Sequence, residues 1–187
     1  MGPESAGGPA RHLHGRGQRL GDIHAACAPG KPLNSERRTP GEDGCHLPCR
    51  GAFSPERALR AAAGGPIGRA LLFFGCHHPD VNFLYREELE AWERHGVVEV
   101  RPAFSALGGE VRYVQQRLWQ DRADAAELFR QGTMVFVCGD AQRLIPPLRE
   151  VGARIYQEAR GCGPDEAARW VADLEQNHGR YYADVFE

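Results

Sequence analysis

Apolar positions fall into a regular pattern only from Arg69 onward. Residues 70–75 (ALLFFG) form a short unbroken apolar run closed by glycine, which predicts a buried parallel strand. Phe83, Leu84, Leu89 and Trp92 then recur at helical steps among Glu87, Glu88 and Glu93, and Gly96 is the expected stop. Residues 97–102 (VVEVRP) predict a second strand, with Pro102 fixing its end. Gly108 and Gly109 break the chain before a helix through Val111, Val114, Gln115, Leu118 and Trp119, and another covers 124–130. Residues 133–138 (TMVFVC) predict a third strand, the most apolar of all. At Cys138-Gly139-Asp140 that strand turns into a long helix ending near Gly161; Pro164 opens one more helix and Gly179 closes it. Strand and helix alternate three times, and the economical solution is an α/β fold with a parallel sheet flanked by helices.

Residues 1–68 have a different character. They hold 13 of the 23 glycines and 8 of the 13 prolines, and the first Val, Tyr and Trp of the chain are Val81, Tyr85 and Trp92. Ordering each residue costs roughly 1–2 kcal/mol of backbone entropy, which so little apolar surface does not offset, so a disordered N-terminal segment is expected. That region carries 9 Lys/Arg against 6 Asp/Glu, and the remainder 14 against 19. So mild an imbalance gives no reason to expect a nucleic-acid partner. No run reaches the roughly 18 apolar residues of a membrane span, and the N-terminus lacks a secretion signal's apolar core, so a cytoplasmic protein is expected. Cys27, Cys45, Cys49, Cys76, Cys138 and Cys162 follow no disulfide spacing and are expected to be free thiols.

Up to this point the pattern predicts a nucleotide-binding class without naming the nucleotide. Six motifs, in order, narrow it: Phe74-Gly75-Cys76-His77-His78-Pro79-Asp80; Phe83-Leu84-Tyr85-Arg86-Glu87-Glu88-Leu89; Ala103-Phe104-Ser105; Tyr113-Val114-Gln115; Val137-Cys138-Gly139-Asp140; and Gly179-Arg180-Tyr181 with Asp184-Val185-Phe186. Together they resemble the diflavin reductases, the family of NADPH-cytochrome P-450 reductase and of the reductase part of fused bacterial haem monooxygenases. The resemblance runs from about Arg69 to Glu187 and implies a ferredoxin-NADP-reductase-like NADP-binding domain. It also implies a reaction in which NADPH passes a hydride to FAD, with electrons moving on through FMN to a haem protein. The implied partners are therefore NADP(H), an FAD-containing domain and a haem acceptor reached through an FMN domain. The flavin domains themselves are not recognised in this chain, so it is not expected to turn over by itself.

The resemblance also assigns roles. Ser105, Arg112, Tyr113 and Gln115 would meet the 2′-phosphate that distinguishes NADPH from NADH, where charge-assisted hydrogen bonds are worth roughly 1.5–3 kcal/mol each. Cys138 would lie beside the nicotinamide, with Asp184 holding transient charge as hydride leaves. Phe186 stands where the family has an aromatic that stacks on the flavin. Gly139, Asp140, Gln142 and Arg143 open a helix whose N-terminus suits the pyrophosphate. Two departures from the family pattern are Ala106, where Arg is usual, and Val111, where Lys is frequent; Arg112 is the candidate substitute for the lost charge. His77 and His78 fit a polar rim near the nucleotide. Cys45-His46-Leu47-Pro48-Cys49 resembles half a zinc site, but with no second Cys/His pair no metal is expected.

One piece of the family's fold has no counterpart in this reading. The first central strand and its Gly-rich phosphate loop should precede residues 47–61, which echo the helix that follows that loop, yet residues 39–44 (TPGEDG) offer neither. The expected fold thus lacks its first central strand, between the strands at Leu71 and Val135, where unpaired backbone groups cost on the order of 1–3 kcal/mol apiece. Residues 1–47 are expected to be disordered or a wrong-frame start, and 48–187 a partial NADP-binding reductase domain. Translation of the upstream DNA in the other two frames tests that origin. The rival expectation is a non-catalytic nucleotide-binding fragment, or a poorly folded remnant of such a reductase.

Overall fold

The computed structural model describes residues 22–27, 55–65, 67–176 and 179–186. Five strands, β1 (Asp22–Cys27), β2 (Ala70–Cys76), β3 (Glu99–Phe104), β4 (Met134–Asp140) and β5 (Tyr181–Phe186), form one sheet in the order β3-β2-β1-β4-β5. Every neighbouring pair is parallel. The helices are α1 (Pro55–Ala62), α2 (Pro79–Asn82), α3 (Arg86–Arg94), α4 (Val114–Gln120), α5 (Arg122–Arg130), α6 (Ala141–Arg160) and α7 (Pro164–Gln176).

The expected gap in the centre of the sheet is filled. Asp22–Cys27 pairs with β2 on one side and β4 on the other, with Ala26 opposite both Phe74 and Cys138. The expectation of a missing first central strand, and of no order across that part of the N-terminal segment, is corrected here. The physical reason is that a slot with hydrogen-bonding strands on both sides satisfies a whole segment's backbone, so weak intrinsic strand preference is overridden by context. The remaining residues before 55, among them the candidate zinc cluster and the segment expected to hold a phosphate loop, lie outside the described residues.

Right-handed crossovers explain the layering. The step from β2 to β3 runs one way across the sheet, and the steps from β3 to β4 and on to β5 run the other way, so their helices fall on opposite faces. On one face Leu71, Phe73, Val135 and Val137 pack with Val114 and Leu118 of α4, Leu128 of α5 and Val151 and Ile155 of α6. On the other, Leu72, Phe74 and Cys76 meet Leu89 of α3 and Val98.

Several boundaries differ from those expected. The helix predicted from Phe83 begins at Arg86, because Tyr85 takes a left-handed conformation (φ 58°) that separates α2 from α3. Pro102 does not end β3 but lies inside it, opposite Phe74; β3 is an edge strand, where a residue without an N–H is tolerated. Residues 138–140 stay in β4 and do not turn out of it, and the chain's last segment forms β5, which the sequence reading did not predict. In α6, Gly161 closes the helix in the left-handed conformation, and Pro146 and Pro147 lie within the second turn.

At the beginnings of β2 and β3 a network of ion pairs joins the sheet to α4 and α5. Arg69 grips Glu99 through two bonds of 2.7 and 3.1 Å and reaches Asp124 at 3.1 Å. Arg101 donates to the same Glu99 at 2.7 Å and to Asp124 at 3.2 Å, while Arg117 holds Asp121 at 2.7 Å. The hydrogen bond from Arg69 holds the Glu99 carboxyl below its usual range against the opposing effect of burial.

Candidate functional site

Because all five strands are parallel, their C-terminal ends share one edge, and in open sheets of this kind ligands bind outside that edge. Register across the sheet aligns Pro102, Phe74, Ala26, Cys138 and Asp184 in one row. Cys138 and Asp184 are direct neighbours on β4 and β5, so they stand on the same face with about 4.8 Å between strands. Both are half-buried, and Cys138 is in no disulfide, as are Cys76 and Cys162. Two residues further on, Asp140 is opposite Phe186, which is exposed. Tyr182 stacks on Phe136 with ring centres 5.0 Å apart, extending an aromatic surface down the same face of β4 and β5.

A second group gathers at the ends of β2 and β3. The loops after these strands are zipped together by Ser105 N–H donating to the Cys76 carbonyl at 3.1 Å and Ala106 N–H to the His77 carbonyl at 2.9 Å. His77 Nδ1 lies 3.1 Å from Ser105 Oγ. Arg112 donates from Nε and Nη2 to the Ser105 carbonyl at 3.2 and 3.1 Å, and its guanidinium lies 5.7 Å from the Tyr113 ring centre. The backbone N–H groups of Arg112 and Tyr113 both donate to Gln116 Oε1, at 2.8 and 3.0 Å, which fixes the approach to α4. Tyr113 itself is exposed.

The structure therefore brings Ser105, Arg112 and Tyr113 together, and Cys138, Asp184, Asp140 and Phe186 together, along one edge. Gln115 stands apart from the first group: it lines a groove of about 360 Å³ between α4 and α6 with Trp119, Glu150 and Arg154. Arg154 lies 4.0 Å from the Trp119 ring centre and Arg122 4.8 Å. Asp140 acts as the cap of α6, its carboxylate accepting from Arg143 N–H at 3.0 Å, with the Arg143 side chain 3.5 Å away. One of the free N–H groups of that helix start is thus already matched by a protein carboxylate. Gln142 and Arg143 are exposed beside it, and Gly139 is buried.

Sequence reading missed two contributors. His77 was seen as a rim residue, not as the partner of Ser105, because twenty-eight positions separate them. Gln116 was not singled out, although a Gln at the third position of a helix is a known capping signature. Among the described residues no group of three His, Cys, Asp or Glu is arranged to hold a metal, and no helix is long and apolar enough to cross a membrane.

A parallel sheet with polar and aromatic groups gathered on its C-terminal edge is the arrangement in which open α/β sheets bind nucleotides. Residues 54–149, just over half of the chain, match the oxidoreductase NAD-binding domain, and the chain belongs to that family. It is 42% identical over 144 residues to a self-sufficient cytochrome P-450 monooxygenase of Phanerodontia chrysosporium, covering 75% of this chain and 13% of that one. It is 38% identical over 140 residues (74% of this chain, 13% of the relative) to a bifunctional cytochrome P-450/NADPH–P-450 reductase of Bacillus cereus. With a bifunctional protein of the same description from Fusarium oxysporum it shares 40% over 147 residues, 75% of this chain and 14% of the relative. The chain thus spans about an eighth of the length of these relatives. The recognition made from the six motifs, the NADP-binding domain of the diflavin reductases, holds.

Proposed function

We propose that this chain is the NADP(H)-binding module of an NADPH-haemoprotein reductase. The observation that carries this reading is the pairing of Cys138 with Asp184 on the same edge as the Ser105, His77 and Arg112 group. β3 and β5 are four strand spacings apart, about 19 Å, so the edge offers two separated sites to one elongated ligand. The chemistry supplied by bound cofactors is hydride donation from a nicotinamide to FAD and single-electron delivery through FMN to a haem acceptor.

The residues divide that work. Ser105, Arg112 and Tyr113 receive the 2′-phosphate and its ribose, with Arg112 supplying charge where the neighbouring residue is Ala106. Gln115 reaches the adenine side from the α4–α6 groove. Gln142 and Arg143, with Gly139 allowing close approach, flank the diphosphate, and Asp140 fixes the helix start that carries them. Cys138 borders the reacting carbon, and Asp184 balances positive charge on the ring. Phe186 and the Tyr182–Phe136 stack offer the apolar surface on which a flavin ring and its FAD-containing domain would rest. Residues 1–47 are outside this assignment apart from β1, and the division at 47/48 remains our proposal for where recognisable reductase sequence begins.

Retention of the full chain on immobilised 2′,5′-ADP, release by NADP and a nucleotide-dependent rise in Tm are the expected results. Ligand at a hundred times its Kd stabilises the fold by about 2.7 kcal/mol, well within reach of a thermal shift. Absence of both retention and shift would favour the rival reading of a poorly folded remnant.

A further inference from the structure

We infer that Gln116 is a positioning residue: its side-chain amide holds the arm that presents Arg112 and Tyr113, and its neutrality keeps that arm attractive to an anion. The inference rests on the nucleotide-binding reading above and concerns how the arm is held, not which group of the ligand it meets.

Residues 106–110 are exposed, and Gly108 and Gly109 take left-handed conformations (φ 73° and 85°) with open space where a Cβ would stand. Among the described residues no hydrogen bond ties 108–111 to the rest of the protein. Two successive glycines in an unbonded stretch leave the backbone many conformations to choose from. The end of β3 therefore does not by itself fix where Arg112 and Tyr113 lie.

The arm is fixed from its far side. Arg112 N–H and Tyr113 N–H converge on one atom, Gln116 Oε1, at 2.8 and 3.0 Å, from the third residue of α4. Two donors need an acceptor between them, so the amide oxygen, and not its NH2, is the atom turned to the backbone. The helix is anchored in turn, with Val114 and Leu118 buried in the core. Gln116 thus passes the position of a packed helix to two exposed residues. The Arg112 guanidinium completes the closure by reaching back to the Ser105 carbonyl at 3.2 and 3.1 Å. Both clasps share Arg112, so loosening the first loosens the second.

The choice of an amide matters as well. A glutamate at this position would accept the same two bonds, since Glu and Gln serve alike at the third residue of a helix. It would also set a negative charge beside the backbone of Arg112, whose guanidinium meets no carboxylate among the described residues. Gln116 supplies the geometry of a cap without cancelling the charge that the arm offers to a ligand.

Calorimetry on the full chain measures affinity for adenosine 2′,5′-bisphosphate and for AMP in wild type, Gln116→Met, Gln116→Glu, Arg112→Ala and the double variant Gln116→Met with Arg112→Ala, and Tm is read for each. Gln116→Met should weaken binding of the bisphosphate about fivefold, the scale of one net hydrogen bond. The double variant should bind at most about twofold more weakly than Arg112→Ala alone, because both substitutions disable one arm. Gln116→Glu should keep the wild-type Tm and weaken the bisphosphate more than AMP. Losses that multiply in the double variant, or wild-type affinity in Gln116→Met beside a lower Tm, reduce Gln116 to a helix cap and overturn the inference while the nucleotide site stands. A Gln116→Glu variant that discriminates as the wild type does overturns the part played by charge. Binding of neither nucleotide by the wild type overturns the nucleotide reading and this inference with it.

Discussion

At the beginnings of β2 and β3, Arg69, Arg101, Glu99 and Asp124 are joined by bonds of 2.7–3.2 Å. At the ends of the same two strands Arg112 bonds to a carbonyl and to no carboxylate among the described residues, while His77 and Ser105 keep donors to spare. The contrast separates two uses of charge on one sheet. Groups paired with one another hold elements together, and groups left short of acceptors attract a ligand that brings them.

The sharpest way to break this contrast is at the ion-paired end. Arg101→Leu removes one of the two cations shared by Glu99 and Asp124, leaving Arg69 alone to match both carboxylates in a half-buried place. It should destabilise the fold by about 2 kcal/mol in urea denaturation, less than the cost of breaking a fully buried pair, with nucleotide affinity of the folded protein unchanged. Wild-type stability in that variant would mean the network is ornamental.

The converse variant, Arg112→Ala, should lower affinity for adenosine 2′,5′-bisphosphate about tenfold, equivalent to about 1.4 kcal/mol, and change stability by less than that. A stability loss larger than the binding loss would erase the difference between the two ends.

Acid gives the smallest effect. Arg69 lowers the Glu99 pKa in the folded state, so its stabilisation is fully present above the ordinary carboxylate value of about 4.3 and disappears as pH falls through the depressed folded value. The contribution should be under about 1 kcal/mol, since the pair is partly solvated. Comparing urea midpoints of wild type and Glu99→Gln at about pH 7 and pH 3 should show the gap between them narrowing in acid.

How legible these features were depended on how local their causes are. β2 and β4 announced themselves because both of their faces are covered and nearly every position is apolar. The long helices were bounded by residues with local conformational rules, Gly161 and Pro164. β1 escaped because its sequence, DIHAAC, has little strand character of its own and is held by neighbours about 50 and 110 positions away. β5 escaped because it is a half-exposed edge, with Tyr182, Val185 and Phe186 at the surface. In the site, Ser105, Arg112 and Tyr113 were readable as a group through their motifs. The His77–Ser105 contact was not, being made by two loops that meet only when β2 and β3 pair.

The paired prolines of α6 change how its first turn is secured. Without N–H groups, Pro146 and Pro147 give nothing to the carbonyls of Gln142 and Arg143, four residues earlier. The turn from 141 to 144 therefore has two fewer rungs tying it to the rest of the rod, and its orientation is set by the Asp140 carboxylate at one end and the buried Leu144 at the other. The place that a ligand would meet on this helix is thus positioned more by its cap and its one buried leucine than by the backbone ladder behind it.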